Sequence, residues 1–333
     1  MKALVYTGPE RLEYRDEADI EPRDGEVLVK VEAVGICGSD MHAYLGHDER
    51  RPAPLILGHE AAGVVLSGPG TGRRVTVNPL VTCGDCPACR SGRNNLCADR
   101  QIISMPPRPG AFAQYISMPP ENLVTVPDGV SLEMAALAEP LACGWHAVRL
   151  ALAVSAVAAT NASCVVIGGG AIGLAAALAL AANGVGRIAV SETNTLRHDA
   201  IGAAGPFEVY DPGVTAPIAA ACADIVIDAV GFSATRANAS MLVKPGGVIV
   251  HIGLGDNGGG LDVRRMTLQE ITFLGTYTYT PEDFRQTAMA LFDGRLGSLD
   301  WFDIRSLAEG AQAFADIHSG QVASPKIILK PHH

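Results

Sequence analysis

C-V-V-I-G-G-G-A-I-G-L, residues 164–174, is the stretch that decides the fold. An apolar, β-branched run ends at Ile167, and Gly168, Gly170 and Gly173 then satisfy the pattern G-x-G-x-x-G. The first glycine makes a tight turn, the second lets backbone approach a pyrophosphate, and the third lets a helix pack closely on the strand. The helix N-terminus offers free N–H groups to phosphates. The stretch therefore predicts a dinucleotide-binding strand–turn–helix unit.

An acidic residue follows at the spacing that such a unit uses to bind a ribose. Glu192 ends the next predicted strand, 19 residues after Gly173. A carboxylate there accepts hydrogen bonds from the adenosine ribose and repels a 2′-phosphate, which predicts NAD rather than NADP. The alternative is an ordinary solvated acid. Arg197, five residues further on, either covers the adenine or favours a 2′-phosphate.

The pattern of predicted strands and helices changes along the chain. From about residue 163, six strand candidates alternate with Ala-rich helical stretches, which predicts a parallel sheet with helices on both faces. Before residue 140 short β-branched runs dominate, and after residue 279 the alternation stops. The six candidates are residues 164–167, 187–191, 207–209, 224–228, 247–252 and 271–275, and the tail holds predicted helices at 282–293 and 306–318 and a strand at 326–329.

Four cysteines lie close together in C-G-D-C-P-A-C-R-S-G-R-N-N-L-C, residues 83–97. Four thiolates at this spacing suit a tetrahedral zinc ion that leaves no position for a substrate, so the predicted site is structural. The alternatives are disulfides or chance clustering, and disulfides are disfavoured because no secretory signal begins the sequence. The four ligands would be Cys83, Cys86, Cys89 and Cys97.

Composition narrows the classes of protein. The 333 residues are 48% hydrophobic and 18% charged, which suits large cores and two domains. The net charge of −10 argues against a nucleic-acid or anionic-membrane partner. Residues 171–182, the longest apolar stretch, are too short to span a bilayer, and the N-terminus has no signal peptide. We therefore expect a cytoplasmic protein.

A second group of metal-binding residue types lies near the N-terminus. Cys37 is in G-I-C-G-S-D-M-H, residues 35–42, and His59 is in G-H-E, residues 58–60. A cysteine, a histidine and nearby acids without local partners indicate an open zinc site assembled across a fold. The alternative is a buried structural cysteine and a histidine satisfied by its neighbours.

Taken in order, these stretches resemble the zinc-containing medium-chain alcohol dehydrogenases, in particular their sorbitol/polyol and threonine dehydrogenase branch. The stretches are G-I-C-G-S-D-M-H, L-G-H-E-A-A-G, the four cysteines, A-E-P-L-A-C-G-W-H-A and G-G-G-A-I-G, and the resemblance runs from Met1 to about Pro331. It implies an α/β fold in two domains. Residues 1–140 and 280–333 would form a β-rich, GroES-like catalytic domain with two zinc sites. Residues 141–279 would form a Rossmann domain, a doubly wound parallel sheet that binds NAD.

The resemblance also implies roles for individual residues. Cys37, His59 and Glu139 would hold a catalytic zinc, and Glu60 would be a ligand in some states or a neighbour that helps the ligands exchange. Ser39 would take the alcohol proton and His42 would pass it to solvent, although His42 has an alternative reading as a plain surface histidine. Further cofactor contacts implied in the same way are Ile172, Val230, Ile252, Gly253 and Leu254.

The implied activity is transfer of a hydride from a secondary alcohol (a polyol, sugar alcohol or diol) to NAD, giving a ketone. An L-threonine 3-dehydrogenase type or a polyol-phosphate dehydrogenase are alternatives. A non-catalytic nucleotide-sensing homologue or a zinc-free quinone reductase would have lost ligands that this chain keeps. The resemblance further implies a homodimer or homotetramer. Thr278 stands where mammalian-type sorbitol dehydrogenases carry an arginine, which puts sorbitol itself in doubt.

Overall fold

We describe the protein from a computed structural model, whose residues 1–214 and 219–332 are described here. The strands within these residues are β1 (Lys2–Gly8), β2 (Arg11–Asp16), β3 (Val27–Gly35), β4 (Leu55–Ile56), β5 (Glu60–Ser67), β6 (Arg74–Val77), β7 (Leu80–Val81), β8 (Gln101–Ile102), β9 (Tyr115–Met118), β10 (Leu123–Thr125), β11 (Ser163–Ile167), β12 (Arg187–Ser191), β13 (Glu208–Tyr210), β14 (Ala223–Asp228), β15 (Val243–His251), β16 (Thr272–Gly275), β17 (Phe302–Ser306) and β18 (Lys326–Lys330).

The α-helices are α1 (Gly38–Tyr44), α2 (Pro87–Arg90), α3 (Leu132–Ala136), α4 (Ala138–Val154), α5 (Ala171–Ala182), α6 (His198–Ala204), α7 (Ser233–Leu242), α8 (Val263–Leu268), α9 (Pro281–Phe292) and α10 (Gly310–His318). Short 3-10 turns lie at Asn94–Leu96, Pro120–Asn122, Ala159–Asn161, Thr195–Arg197 and Leu307–Glu309. None of the helices in the described part of the chain combines the length and the apolar character that crossing a bilayer requires.

A six-stranded parallel sheet forms the nucleotide-binding half, in the order β13-β12-β11-β14-β15-β16. Alternate residues of its strands enter two separate cores. Val166, Ile227 and Val250 pack with α4, α5 and α9, whereas residues such as Val165 and Val226 pack with α7. Because successive side chains of a strand point to opposite faces, this division shows helices covering both faces. The predicted doubly wound α/β fold is confirmed.

The other half is built on mainly antiparallel strands, with β17 and β18 as a parallel pair. One sheet has the order β10-β6-β5-β3-β18-β17, with β9 also paired to β3, and a smaller sheet has the order β2-β1-β4. Strand β18 pairs antiparallel with β3, where Leu329 faces Val34. The chain therefore returns from the nucleotide-binding half to complete the N-terminal sheet, and this return brings Lys326 beside residues of β3 and β5.

The C-terminal tail divides between the two halves. Phe284, Leu291 and Trp301 belong to the core that contains α4 and α5. Phe314 and Leu329, by contrast, pack with the N-terminal β-rich core. The sequence pattern of this tail does not by itself assign it to either half, because a periodic apolar face shows that a helix is buried without showing against what.

Candidate active site and cofactor cleft

Two adjoining cavities lie between the halves of the molecule. One, of about 690 Å³, runs from the turn after β11 to the residues that precede and begin β18. The other, of about 370 Å³, is lined by Cys37, His59 and Glu139 together with residues from β7, β8 and the segment after β16. Ile172 and Val230 line both cavities. The two cavities therefore meet at the carboxyl end of the parallel sheet, where such sheets bind ligands.

The turn after β11 has the backbone that the glycine pattern predicts. Gly168 has a φ of +93°, which favours glycine, and a Cβ at Gly173 would lie 1.7 Å from the carbonyl oxygen of Gly168. A Cβ at Gly170 would have Nη1 of Arg197 as its nearest neighbour, 3.8 Å away. Gly173 thus permits the close helix packing, and Gly170 leaves an open face at the start of α5. This cradle fits a pyrophosphate on a helix N-terminus.

Glu192 lies at the end of the same cavity and is only 7% exposed, so it is not a solvated surface acid. Its Oε2 accepts a hydrogen bond from the Gly169 N–H at 2.8 Å, and its Oε1 accepts one from the Asn194 N–H at 2.7 Å. Nη1 of Arg197 is 3.8 Å from Oε2. The carboxylate is therefore held rigidly beside the phosphate turn, and the guanidinium lies next to it.

The residues expected to contact the dinucleotide divide between the two cavities. Gly168, Gly170, Ile172, Gly173, Glu192, Arg197 and Val230 line the larger cavity, and Ile172, Val230, Ile252, Gly253 and Leu254 line the smaller one. The buried carboxylate of Asp228 accepts hydrogen bonds from the N–H groups of Val230 (3.1 Å) and Gly231 (2.9 Å), which fixes this loop. Sequence reasoning missed Asp228, although an acid that ends a buried strand is the signal for it.

Cys37, His59 and Glu60 form one donor group, with their ligand atoms within 4.8 Å of one another. Cys37 precedes α1 and Glu60 begins β5, so the group joins two elements that are distant in sequence. One sulfur, one imidazole nitrogen and one carboxylate make a donor set typical of catalytic zinc. Glu139 lies outside this group but lines the same cavity. The structure thus places Glu60 closer to the other donors than Glu139.

The Asp40 carboxylate lies beside the His59 ring and interacts with it electrostatically. This carboxylate is fully buried and accepts the N–H groups of Cys37 at 3.0 Å and Gly58 at 3.2 Å, and its Oδ1 lies 3.5 Å from Nδ1 of His59. Burial disfavours the charged imidazole, but interaction with the Asp40 carboxylate, with a further contribution from Cys37, outweighs it and raises the pKa of His59 well above its usual value. This anionic environment suits a bound cation.

Both carboxylates near the donor group have a specific partner. Nζ of Lys326 donates to the two oxygens of Glu60 at 2.6 and 2.7 Å and to the carbonyl oxygen of Ile36 at 2.8 Å. The hydroxyl of Tyr279 donates to Oε1 of Glu139 at 2.7 Å. Burial raises the pKa of Glu139 to about 7. Lys326 and Tyr279 were missed from the sequence, since each lies far along the chain from the acid that it binds and only the fold brings the two together.

Ser39 and His42 both line the smaller cavity, but no hydrogen bond joins their side chains within the described residues. Nη2 of Arg51 instead donates to Oγ of Ser39 at 3.4 Å, and Nη1 donates to the Ser39 carbonyl oxygen at 3.4 Å. Arg51 is 3% exposed, and its Nε also donates to the carbonyl oxygen of Ser104 at 3.1 Å. A guanidinium keeps its protons, so Arg51 positions the hydroxyl and does not relay a proton.

The four cysteines of residues 83–97 come together in what we call the four-cysteine lobe. The distance between Sγ atoms is 4.0 Å for Cys83 and Cys89, 3.6 Å for Cys86 and Cys89, and 3.5 Å for Cys97 and Cys83. A tetrahedral zinc ion would set these distances at about 3.8 Å, because each Zn–S bond is about 2.3 Å. The lobe therefore fits a closed zinc site with no position left for a substrate.

The four-cysteine lobe also contacts the wall of the smaller cavity. Nδ2 of Asn95 donates to the carbonyl oxygen of Tyr277 at 2.8 Å. Cζ of Arg100 lies 4.9 Å from the centre of the Tyr277 ring, and Tyr277 lines the cavity. The lobe thus holds one wall of the candidate substrate pocket in place.

Comparisons with known proteins agree with this geometry. Residues 23–128 match the alcohol dehydrogenase GroES-like domain, and residues 171–294 match the zinc-binding dehydrogenase domain. Sorbitol dehydrogenase of Bacillus subtilis (strain 168) is 34% identical over 296 residues, covering 84% of this chain and 82% of that protein. The chain belongs to the zinc-containing medium-chain alcohol dehydrogenases. The expected family and the expected GroES-like and Rossmann fold are therefore confirmed.

A second curated relative and a solved structure also match most of the chain. L-galactonate-5-dehydrogenase of Escherichia coli (strain K12) is 32% identical over 310 residues, covering 89% of this chain and 88% of that protein. A solved structure of acetophenone reductase from Geotrichum candidum in complex with NAD superimposes with a TM-score of 0.88 and 27% identity, covering 99% of this chain and 96% of that one. This dehydrogenase is thus an enzyme, and zinc and a nicotinamide dinucleotide are the cofactors of its family.

Proposed function

We propose that this dehydrogenase oxidises a secondary alcohol to a ketone with NAD as the acceptor. The observation that carries the proposal is that Cys37 and His59, two members of the donor group, line the smaller cavity together with Glu139. This cavity meets the larger one at Ile172 and Val230. By their names, the two curated relatives act on sorbitol and on L-galactonate. Polyols and sugar-derived alcohols with a secondary hydroxyl are therefore the first substrates to test.

Two zinc ions are part of this proposal. Cys37 and His59, with Glu60 or Glu139, would hold a catalytic ion, and the four-cysteine lobe would hold a structural one. A bound zinc ion supplies a Lewis acid that polarises an alcohol oxygen and lowers its pKa. Lys326 and Tyr279 hold the two carboxylates in place, so the ligand set is arranged before a metal arrives.

The proton is assigned to the side chains of the smaller cavity. Ser39 accepts the alcohol proton at its Oγ, which Arg51 orients by donating to the same atom. His42 lines the same cavity and passes the proton towards solvent. Since no hydrogen bond joins the Ser39 and His42 side chains in the described residues, a water molecule would complete the path between them.

The dinucleotide is assigned to the larger cavity, with its pyrophosphate on Gly168–Gly173 and its adenosine ribose on Glu192. Residues 1–140 and 280–333 are proposed as the catalytic domain and residues 141–279 as the nucleotide-binding domain, with residues 281–301 packing on the nucleotide-binding side. No disulfide joins any of the eight cysteines, all of which lie in the described residues, and this suits a reducing compartment; we therefore propose that the enzyme is cytoplasmic.

Association into a homodimer or homotetramer is the remaining part of the proposal. Strand β16 ends the parallel sheet, so its outer edge has unpaired backbone groups that a second copy would satisfy. Light scattering at micromolar concentration tests this, and the mass of a monomer would contradict it.

The experiment that tests the activity is NADH absorbance with the zinc-loaded chain and a panel of polyols, diols and amino alcohols. We expect at least one secondary alcohol to produce NADH, and Cys37→Ser to lose both the activity and about one zinc per chain. Cys222→Ser removes a thiol outside both donor groups and should change neither. A zinc-loaded protein that oxidises no alcohol in the panel would contradict the proposal.

A further inference from the structure

The smaller cavity has a positively charged mouth in a protein that is otherwise acidic. The chain carries 25 lysines and arginines against 35 acids. Arg50 and Arg51 nevertheless both line this cavity, and Glu139 is the single carboxylate among its described lining residues. Glu139 is buried against Tyr279 at the inner end, beside the donor group. Apart from Glu139, no acid therefore accompanies the two arginines among the described lining residues.

The two arginines share one carboxylate behind the wall. Nη1 of Arg51 lies 2.5 Å from Oδ2 of Asp48, while Nε and Nη2 of Arg50 donate to the two oxygens of Asp48 at 2.8 and 3.0 Å. Burial disfavours ionisation of this acid, but its bonds to Arg50 and the charge of Arg51 lower the pKa of Asp48 to about 2. The side chains of Asp48, Arg50 and Arg51 together thus carry one net positive charge, and among the described residues the exposed Glu49 forms no ion pair with either arginine.

That charge is available on Arg50 and not on Arg51. The Arg51 side chain is 2% exposed, and its nitrogens bind Asp48, Ser39 and the Ser104 carbonyl. The Arg50 side chain is 58% exposed, and within residues 1–214 and 219–332 its Nη1 has no hydrogen-bond partner. Asp48 holds the Arg50 guanidinium by two bonds, so one edge of it is fixed and the other edge is free.

We propose that the substrate is an alcohol that also carries a carboxylate, such as an aldonate or a hydroxy acid, and that Arg50 binds that carboxylate at the mouth of the pocket. A fixed guanidinium with a free edge suits a planar anion. One net positive charge matches a monoanion better than a phosphate dianion. Thr278 stands where mammalian-type sorbitol dehydrogenases carry an arginine, and Arg50 would thus supply a substrate-binding arginine from a different wall of the cavity. This inference rests on the proposed secondary-alcohol activity.

The carboxylate takes no part in the chemical step. The substrate loses a hydride from its carbinol carbon and a proton from its hydroxyl, the carbinol becomes a ketone, and NAD becomes NADH. The acid group is unchanged, so the product is a keto acid. Arg50 acts by binding and orienting, and its removal should raise KM more than it lowers kcat.

The experiment compares matched pairs of substrates with the zinc-loaded full chain and NAD. The pairs are gluconate with sorbitol and 3-hydroxybutyrate with 2-butanol, and sorbitol 6-phosphate tests a phosphate. The variants are Arg50→Gln and Arg50→Lys. Arg285→Gln is the control, because Arg285 is 54% exposed, forms a similar local ion pair with Glu282 at 2.8 Å, and lies outside the cavity.

We expect the wild type to have a higher kcat/KM for the acid than for the neutral alcohol in at least one pair. Arg50→Gln should lower that ratio by at least about 10-fold, because a hydrogen bond to a charged group is lost. Arg50→Lys should recover part of the ratio, and Arg285→Gln should leave it unchanged. The KM for the acid should also rise with salt.

Three results would overturn the inference. The first is oxidation of the neutral alcohols with no preference for the acids, which would leave the proposed activity intact. The second is an acid-to-neutral ratio that Arg50→Gln does not change. The third is a preference for the phosphate over the carboxylate. If no member of the panel is oxidised, the proposed activity fails, and the inference fails with it.

Discussion

Replacing Glu192 by alanine should change the preferred dinucleotide. The Glu192 carboxylate accepts the N–H groups of Gly169 and Asn194 at 2.8 and 2.7 Å, and Arg197 lies 3.8 Å away. The substitution removes the acid that would bind the ribose and leaves two N–H donors and a guanidinium facing the same place. A site that repels a 2′-phosphate therefore becomes one that attracts it.

The size of the change follows from two contributions. Loss of a charge-assisted hydrogen bond to the ribose costs about 1.5–3 kcal/mol, which lowers kcat/KM for NAD by about 10- to 100-fold. Two unit charges 4 Å apart interact by about 4 kcal/mol at an effective dielectric of 20, and solvent reduces this at the cavity mouth. Relief of that repulsion should raise kcat/KM for NADP by about 10-fold or more. The ratio of kcat/KM for NADP to kcat/KM for NAD should therefore rise by at least about 100-fold.

Initial rates with NAD and with NADP at one alcohol concentration provide the assay. Glu208→Ala is the matched control, since it removes the same charge from an exposed position on the neighbouring strand β13. Thermal unfolding should accompany the assay, because the two N–H donors lose their partner. A wild type that prefers NADP, or a Glu192→Ala variant with an unchanged ratio, would refute the reasoning.

Three other predictions concern the site itself. Lys326→Met should lower the free energy of unfolding, measured by denaturant titration, by about 3–5 kcal/mol, because it leaves the fully buried Glu60 without its counter-ion. Lys2→Met, which breaks an exposed ion pair with Asp16, should have little effect in the same titration. Equal effects of the two substitutions would contradict the reasoning. Mild chelation should remove the catalytic zinc before the zinc of the four-cysteine lobe. Metal analysis and activity measured on the same samples test this. Activity that falls only when the lobe loses its zinc would contradict the assignment of the two sites. Ser39→Ala should lower kcat severely and leave the zinc content unchanged. His42→Ala should lower kcat less, and added imidazole should restore part of the loss. A near-normal kcat in Ser39→Ala, with hydride transfer rate-limiting, would show that the proton leaves by another route.

Local sequence patterns predicted most strands of the parallel sheet to within a residue or two at an end. The strand predicted at 187–191 is β12, and those at 164–167, 224–228 and 271–275 differ from β11, β14 and β16 by one residue at an end. The predicted helix at 306–318 was partly wrong, because Ser306 ends β17 and α10 begins only at Gly310. Only its first residue, Ser306, pairs with β18, and Leu307–Glu309 form a 3-10 turn before α10. Pairing with a strand overrides a weak helical pattern at that first position.

The donor residues were predictable because each metal-binding type lies in a distinctive short stretch, as Cys37 and His59 do. The residues that orient them were not. Lys326 reaches Glu60 across 266 positions, and Tyr279 reaches Glu139 across 140. No local pattern marks a lysine or a tyrosine as the partner of a distant acid. Arg51 was hidden for a similar reason, since a charged residue in a polar loop predicts a solvated side chain.

Hydride transfer from a secondary carbinol carbon is the central claim, and isotope labelling tests it most directly. A secondary alcohol deuterated at that carbon should give NADH that carries the deuterium, in the zinc-loaded wild type and not in Cys37→Ser. The rate should also fall on deuteration where hydride transfer limits turnover. NADH that carries no deuterium, or equal label transfer by Cys37→Ser, would contradict the account.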